Sequence, residues 1–430
     1  MTNPEFKRNL WLQFSWHRLI AMPVVLGLSI LTIVSASSIN DLNSFLSIFF
    51  VGIVWLWGTR NASASITDEL RDKTWDQQRM SALQPWTMTW GKLFGATSFN
   101  WYGGAICLLV AVISARNIEM EISRLLTLVV GAIMIHATTL ALNLHTSRVN
   151  SRIAHRGSLI GFVMVISVIF SPWLYSVKEQ SLQWWGVNFG YHNFVLGSSV
   201  VFALCAVFAA WRVMSNALQV RTTPWAWPGF AILLAVFLAG FIPFVNLKIL
   251  LLTGLSVAIT MTYIALFSEP NGIAVWQRIA VRARTEDWRG VFEHLPLWPT
   301  TLLLSFVLAA LSSFAEPSNL LSNSQGIAQF LNIAPLTIAF MALRDTCIFL
   351  YFSFSEKANR VEATTLFYLV VLNVLLPFFA DVMGLSILAL IFMPISSAQS
   401  FWSPVIMGIH AAIALWLVVG RWYRYAERLS

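Results

Sequence analysis

Long apolar runs dominate this chain of 430 residues and limit what it can fold into. Twelve such runs follow one another, and each is about long enough to cross the hydrocarbon core of a bilayer as a helix. The runs are continuous rather than alternating, which excludes an outer-membrane barrel. We therefore predict an all-α polytopic membrane protein with about twelve transmembrane helices. The predicted spans are residues 19–37, 43–58, 93–114, 124–144, 157–177, 195–217, 229–246, 249–267, 298–315, 328–346, 362–381 and 403–421.

Charge is sparse and unevenly placed. Charged residues are 11% of the chain, which is far below the roughly 25% of a soluble domain. The net charge of +8 reflects the membrane topology, because most basic residues are expected on the cytoplasmic side. Only Arg116, Arg124, Lys178 and Lys248 are placed on the non-cytoplasmic side. This asymmetry predicts that both termini are cytoplasmic. It also makes membrane lipids, and not nucleic acid, the partner of the basic excess.

The runs divide the chain into two six-helix halves. Residues 1–18 are predicted to contain an interfacial amphipathic helix that begins at residue 4, and residues 19–220 form the first half. A linker with two prolines opens the second half, residues 221–430. Each half has one long loop between its second and third spans. We call these the first long loop, residues 59–92, and the second long loop, residues 271–297.

The first long loop is predicted to be helical and exposed. Ala62–Met80 contains neither proline nor glycine and is rich in helix-forming residues. Asp68, Asp72 and Asp76 recur every four residues and would form one acidic stripe on that helix. A charged helix with an exposed Trp75 is suited to docking on a polar protein surface.

Several polar residues lie within or near the spans. His136, Asn143 and His410 are candidate residues of a translocation pathway, because intramembrane polar groups are often functional. The alternative for each is an ordinary hydrogen-bonded contact between helices. Arg344 and Asp345 are adjacent and would point about 100° apart on a helix. We therefore predict that they pair with other groups at the cytoplasmic interface and not with each other.

A motif in the first long loop resembles a known family. The segment TWDQQRMSALQPWTMTWGKLFG, residues 74–95, is similar to the cytoplasmic loop of type-two ABC exporter permeases, whose pattern is E-x-G-T-x-E-x-L-x-x-T-P-x-S-P followed by G-K-L. Lys73 stands where the family has glycine, and Ala82 replaces its first proline. The matching positions are Thr74, Trp75 and Asp76 for the T-x-E core, Pro85 for the second proline, and Gly91, Lys92 and Leu93 for G-K-L.

The resemblance implies a permease subunit of an ABC-type exporter in a bacterial cytoplasmic (inner) membrane. In that family this loop is the coupling helix that contacts the ATP-binding subunit. No G-x-x-x-x-G-K-[ST] motif occurs in this chain, so ATP would bind a separate ABC ATP-binding subunit, and we expect no cofactor here. The transported substrate is not indicated by any residue pattern. The residues expected to couple to the ATPase are Asp68, Glu69, Asp72, Thr74, Trp75 and Gln78.

Two other functions fit a chain of this composition. The first is a secondary transporter driven by an ion gradient, which would require broken helices and a polar centre at mid-membrane. The second is a membrane-embedded enzyme acting on lipids or lipid-linked sugars. The chain contains no H-E-x-x-H or G-x-S-x-G motif, and its three cysteines lack metal-binding spacing. We therefore expect no catalytic residue and no metal site.

Overall fold

A computed structural model describes residues 3–36, 39–81, 83–115, 118–149, 181–220, 222–242, 246–315, 335–355, 360–385, 391–392 and 402–426. The chain separates into two compact units. The first consists of Met1–Gln183 and Val187–Thr222, and the second consists of Trp184–Gly186 and Thr223–Ser430.

The described part of the first unit is built from helices that follow the apolar runs. Two π-helical turns, π1 (Val51–Trp57) and π2 (Gly91–Gly95), interrupt the regular helices, and a hairpin of β1 (Ser181–Trp184) and β2 (Val187–Gly190) precedes the last helix. The α-helices are α1 (Pro4–Gln13), α2 (Trp16–Ala36), α3 (Ile39–Phe50), α4 (Gly58–Arg71), α5 (Trp75–Arg79), α6 (Pro85–Trp90), α7 (Ser98–Ile113), α8 (Ile118–Val149) and α9 (Tyr191–Ala217).

The second unit is also helical in its described residues. A third π-helical turn, π3 (Val371–Leu375), lies within its penultimate span. The α-helices are α10 (Ala226–Ala239), α11 (Leu247–Ser268), α12 (Ile273–Arg284), α13 (Trp288–His294), α14 (Trp298–Phe314), α15 (Pro335–Ser353), α16 (Val361–Val370), α17 (Leu376–Val382) and α18 (Trp402–Ala426).

The all-α membrane class is confirmed, whereas the count of twelve spans is not. Within the described ranges, eight helices are long and apolar enough to cross a membrane, or up to ten if each of two bent helix pairs is one span. The predicted span 157–177 lies outside the described residues. The predicted span 229–246 corresponds to α10, which has only 14 residues and is shorter than a bilayer requires.

Lipid-facing surfaces and packed surfaces are clearly separated in the first unit. Only 11% of the apolar window of α2 is buried, whereas 56% of the window in Glu121–Thr146 is buried. The buried Trp55 indole donates to the carbonyl oxygen of Leu128 at 3.0 Å and lies against Gly131. A Cβ at Gly131 would lie 2.7 Å from Trp55 Cζ2, so this glycine lets the second and fourth spans approach closely.

The helix of the second span continues far beyond the apolar run that ends at residue 58. It extends to Arg71 and ends in a Schellman motif, in which the N–H groups of Lys73 and Thr74 bond the carbonyls of Leu70 and Glu69. Lys73 occupies the left-handed position, with φ 57°. The prediction of one continuous helix over 62–80 is therefore wrong. A lysine took the position where glycine usually signals a helix end, so the sequence carried no visible break.

Candidate functional site

The N-terminal helix α1 packs against the start of the third span. Asn3 caps α1, and its Nδ2 donates to the carbonyl oxygen of Thr87 at 2.8 Å. A Cβ at Gly91 would lie 2.6 Å from Glu5 Cγ, so glycine is required for this approach. Asn9 Nδ2 donates to the backbone carbonyl of Glu5 at 2.9 Å and lies in the same buried face. This contact ties the membrane-surface helix to the first long loop.

The opposite face of α1 is apolar and exposed, as an interfacial helix requires. Trp11 is 81% exposed and Leu12 is 59% exposed, whereas Glu5 and Asn9 are buried. The helix ends at Gln13 rather than at residue 18, and the next helix begins at Trp16. The residues facing the protein are thus polar, and those facing outward are the ones that favour a lipid interface.

Lys92 is the centre of the polar contacts in the first unit. Its side chain is fully buried, and Nζ lies 2.5 Å from Glu69 Oε2 and 3.2 Å from Glu5 Oε1. Nζ also donates to the carbonyl oxygen of Ser65 at 3.2 Å. A buried ammonium requires compensating charge and hydrogen bonds, and three acceptors supply them here.

Two further side chains close this arrangement around Glu69. Arg8 forms ion pairs with Glu69 and, at 3.0 Å, with Glu5. Gln78 Nε2 donates to Glu69 Oε1 at 2.6 Å. We call Glu5, Arg8, Glu69, Gln78 and Lys92 the Lys92 cluster. The charges of its two acidic and two basic residues balance, and the cluster connects α1, α4, α5 and π2.

Trp75 lies beneath the Lys92 cluster and is not exposed as predicted. Trp75 is only 9% exposed and packs with the buried Ile66 and Met88. Lys92 Nζ is 5.8 Å from the centroid of its ring, within cation–π range. The expectation of a surface tryptophan depended on a continuous helix. Because α4 ends before Trp75, the side chain turns inward.

The predicted coupling residues separate into two groups. Glu69 and Gln78 belong to the Lys92 cluster, and the hydroxyl of Thr74 donates to the carbonyl of Glu69 at 3.3 Å. Asp68 and Asp72 point outward, with side chains 43% and 60% exposed.

The predicted acidic stripe is interrupted at the end of α4. Asp76, which is 79% exposed, belongs to α5, whereas Asp68 belongs to α4. The surface available to a partner is therefore formed by the end of α4 and by α5, and it contains Arg71 at 65% exposure as well as the aspartates.

Sequence reasoning missed Glu5, Arg8 and Lys92 as members of this site. One usable signal was the pair Glu5 and Asn9, which are polar and spaced to share one face of α1. A second was the single basic residue in the otherwise apolar stretch that follows Trp90. Neither signal shows that Glu5 and Lys92 contact each other, because the two residues are far apart in the chain.

The candidate pathway residues of the first unit lie in a tightly packed region. His136 is 1% exposed, and its Nε2 donates to the carbonyl oxygen of Val54 at 2.8 Å. A Cβ at Gly58 would lie 2.4 Å from Nε2. Asn143 is also buried, and its Nδ2 has no hydrogen-bond partner among the described residues. The contact of His136 matches the alternative of a hydrogen-bonded helix–helix contact.

The second unit contains a buried ion pair that contradicts its predicted geometry. Arg344 and Asp345 are 2% and 3% exposed in the middle of α15, and Arg344 Nη2 lies 2.7 Å from Asp345 Oδ1. The long, flexible side chain of Arg344 lets its guanidinium reach the carboxylate of the next residue, although the two side chains leave the helix about 100° apart. Tyr263 donates to Asp345 Oδ2 at 2.7 Å, and Arg344 donates to Asn373 Oδ1 in π3 at 2.5 Å. The prediction that the two residues do not pair is wrong.

His410 is a partly buried residue of α18 on the same side of the unit as this ion pair. It follows Met407 by one turn, and Met407 Sδ lies 3.9 Å from Arg344 Nη1. Asp345, Asn373 and Met407 thus lie around Arg344. This group is well separated from the ends of the spans, unlike the Lys92 cluster.

Comparison with known families finds a similarity in the first part of the chain. The family model described as ABC-2 type transporter matches residues 6–196. The match begins within α1 and covers the first long loop and every member of the Lys92 cluster except Glu5. No curated protein and no solved structure matches the chain significantly.

Proposed function

We propose that this chain is the permease subunit of an ABC exporter, because its residues 6–196 match the family model described as ABC-2 type transporter. In this proposal, ATP binds and is hydrolysed on a separate ABC ATP-binding subunit. The permease supplies the pathway and two conformations, which the partner's nucleotide cycle favours in turn. The permease itself performs no covalent chemistry.

The observation that carries this proposal is the anchoring of α5. This short helix leaves Asp76 exposed at the surface, while Gln78 holds Glu69 and Trp75 packs under Lys92. A force applied to α5 would therefore reach α4, the start of the third span and α1 together. An exposed surface joined rigidly to several spans is what transmission from a soluble ATPase requires.

The proposed location is the bacterial cytoplasmic membrane, with both termini and α5 on the cytoplasmic side. The exposed aspartates, with Arg71 between them, would form the contact surface for the ATP-binding subunit. Its mixture of both charge signs favours a protein partner over a lipid surface. The outward direction of transport rests on the resemblance of the first long loop to exporter permeases.

Co-purification tests this function directly. The tagged full-length protein is expressed in its own host, solubilised in mild detergent, and compared with Asp72→Arg and Asp76→Arg. A co-purifying ATP-binding subunit that is lost from both variants supports the proposal. Glu119→Arg is the matched control, because Glu119 is exposed and lies at the opposite end of its span from the loop. Equal loss from the control, or no bound ATPase in any sample, would overturn it.

The alternative functions give different results in a transport or activity assay. Transport that persists without ATP and collapses with the proton gradient would indicate a secondary transporter. A lipid-modifying activity lost on His136→Ala or His410→Ala, with Asp76→Arg fully active, would indicate a membrane enzyme. An ABC exporter requires the reverse result. Its transport depends on ATP and is lost when the α5 surface is changed by Asp76→Arg.

A further inference from the structure

The helix α12 in the second long loop is held firmly at the end of its span. Asn271 is buried, and its Oδ1 accepts a hydrogen bond from the indole of Trp298 at 2.8 Å. Glu269 Oε2 accepts the N–H of Leu297 at 2.7 Å. The rings of Trp276 and Trp298 lie 5.7 Å apart. Because only four residues separate α11 from α12, these contacts keep α12 close to the end of the preceding span.

One face of α12 forms an open groove of about 450 Å³. The lining residues are spaced three or four apart, as one helix face requires. Arg278 and Arg282 stand one turn apart within it, with apolar side chains before and between them. The lining residues are Ala274, Gln277, Arg278, Val281 and Arg282.

The surroundings of the groove combine basic charge with exposed apolar side chains. Arg284 adds a third positive charge, and α12 contains no acidic residue. Val281 is 58% exposed, and on α13 Trp288 is 61% exposed. Helices with arginine beside exposed aromatic and aliphatic side chains are typical of the boundary between headgroups and acyl chains.

The guanidinium groups of Arg278 and Arg282 are held by contacts that occupy only part of their hydrogen-bonding capacity. Arg282 Nη1 lies 3.0 Å from His294 Nδ1, 3.4 Å from the carbonyl of Gly290 and 4.0 Å from Asp287 Oδ2. Arg278 Nε donates to the carbonyl of Ala274 at 3.2 Å. Among the described residues, these contacts use Nε of Arg278 and Nη1 of Arg282, so the other guanidinium nitrogens can donate to a ligand. A guanidinium presents paired N–H donors that match two oxygens of a phosphate.

We propose that this groove binds one anionic phospholipid of the leaflet at this end of the spans. Arg278 and Arg282 bind the lipid phosphate, and an acyl chain lies along Ala274 and Val281. The charge of α12 and its apolar exposure favour a lipid over the ATP-binding subunit. The site requires only that the chain resides in a membrane, so it does not depend on the proposed coupling to an ATPase.

Native mass spectrometry of the delipidated full-length protein tests the site. Dioleoyl phosphatidylglycerol and dioleoyl phosphatidylcholine are added separately, and bound lipids are counted. We expect phosphatidylglycerol to bind preferentially, and Arg278→Gln with Arg282→Gln to weaken that binding about twenty-five-fold, at about fivefold for each arginine. Inorganic phosphate at the same concentration should not compete, because it lacks the acyl chain.

Arg289→Gln is the matched control, because Arg289 lies on α13 outside the groove and is 85% exposed. It should bind phosphatidylglycerol as the wild type does. Equal binding of the two lipids, or equal loss in the control and the double variant, would overturn the site. So would a double variant that retains lipid but loses a co-purifying ATP-binding subunit. Matching unfolding midpoints in detergent establish that all variants are folded.

Discussion

The two long loops share a backbone plan but differ in how they pack. In each, a helix ends in a Schellman motif whose left-handed residue is charged: Lys73 at φ 57° and Glu286 at φ 58°. Two residues later a tryptophan begins a short helix, Trp75 in one loop and Trp288 in the other. A bent helix pair then leads into the next span in both cases.

The side chains make the difference between the loops. Trp75 is 9% exposed and lies below Lys92, whereas Trp288 is 61% exposed. The first loop contains a buried lysine bound to two carboxylates, and the second is held by Glu269 through backbone N–H groups. The same type of helix end is therefore followed by a buried, ion-paired helix in the first loop and by an exposed, basic helix pair in the second loop.

The largest expected effect comes from removing the buried lysine. Lys92→Met leaves Glu5 and Glu69 buried without their main counter-charge, and should destabilise the protein by about 3–5 kcal/mol. The unfolding midpoint in detergent measures this change. Arg284→Met, in the second loop, should leave the midpoint nearly unchanged because Arg284 is exposed at the end of α12. If both substitutions cost the same, the Lys92 cluster does not explain the difference between the loops.

The two tryptophans give the next effect. Trp75→Ala removes a buried ring and should cost about 3 kcal/mol, measured by the same unfolding assay. Trp288→Ala should change stability little, because most of its ring already contacts solvent or lipid. An equal cost for the two substitutions would show that the second loop is packed more tightly than its exposure indicates.

Glu269 makes the second loop sensitive to pH. Burial raises the pKa of Glu269 from its ordinary value of 4.5 to about 7, while the N–H groups of Leu297 and Trp298 oppose that shift. The folded state therefore keeps a proton that the unfolded state has lost. Stability should be greatest below pH 4.5 and fall until pH 7, by a total on the order of 1–3 kcal/mol.

Glu269→Gln provides the comparison for this pH dependence. The amide cannot ionise, so the difference in unfolding midpoint between wild type and variant should change between pH 4.5 and 7 and then level off. A constant difference across this range would mean that Glu269 ionises in the folded protein as it does in the unfolded chain.

The smallest effect concerns the backbone feature that the loops share. Lys73→Gly and Glu286→Gly replace a side chain in the left-handed region, so each should stabilise the protein by about 0.5–1 kcal/mol. Differential scanning fluorimetry of the two variants measures the shift. Alanine at either position should give no such gain. Stabilisation at only one position would show that the two helix ends are not equivalent.

Sequence reasoning succeeded where a property depends on neighbouring residues. The membrane class and the approximate location of described helices such as α2, α8 and α18 follow from stretches of about twenty apolar residues. It failed at Lys73, where the end of α4 carries no glycine or proline. It also failed for Arg344 and Asp345, because an argument from ideal side-chain directions ignores how far an arginine can bend.

The apolar runs were enough to predict a bundle of membrane helices, and the residues of the first long loop were enough to locate the motif that resembles ABC permeases. Which charges meet was visible only in the folded chain: Lys92 with Glu69 and Glu5, and Arg344 with Asp345 and Asn373. Hydrophobic burial and ion pairing differ in how precisely they depend on position. Hydrophobic burial sums over a segment and tolerates errors of several residues, whereas a buried ion pair depends on a few ångströms between groups brought together by folding.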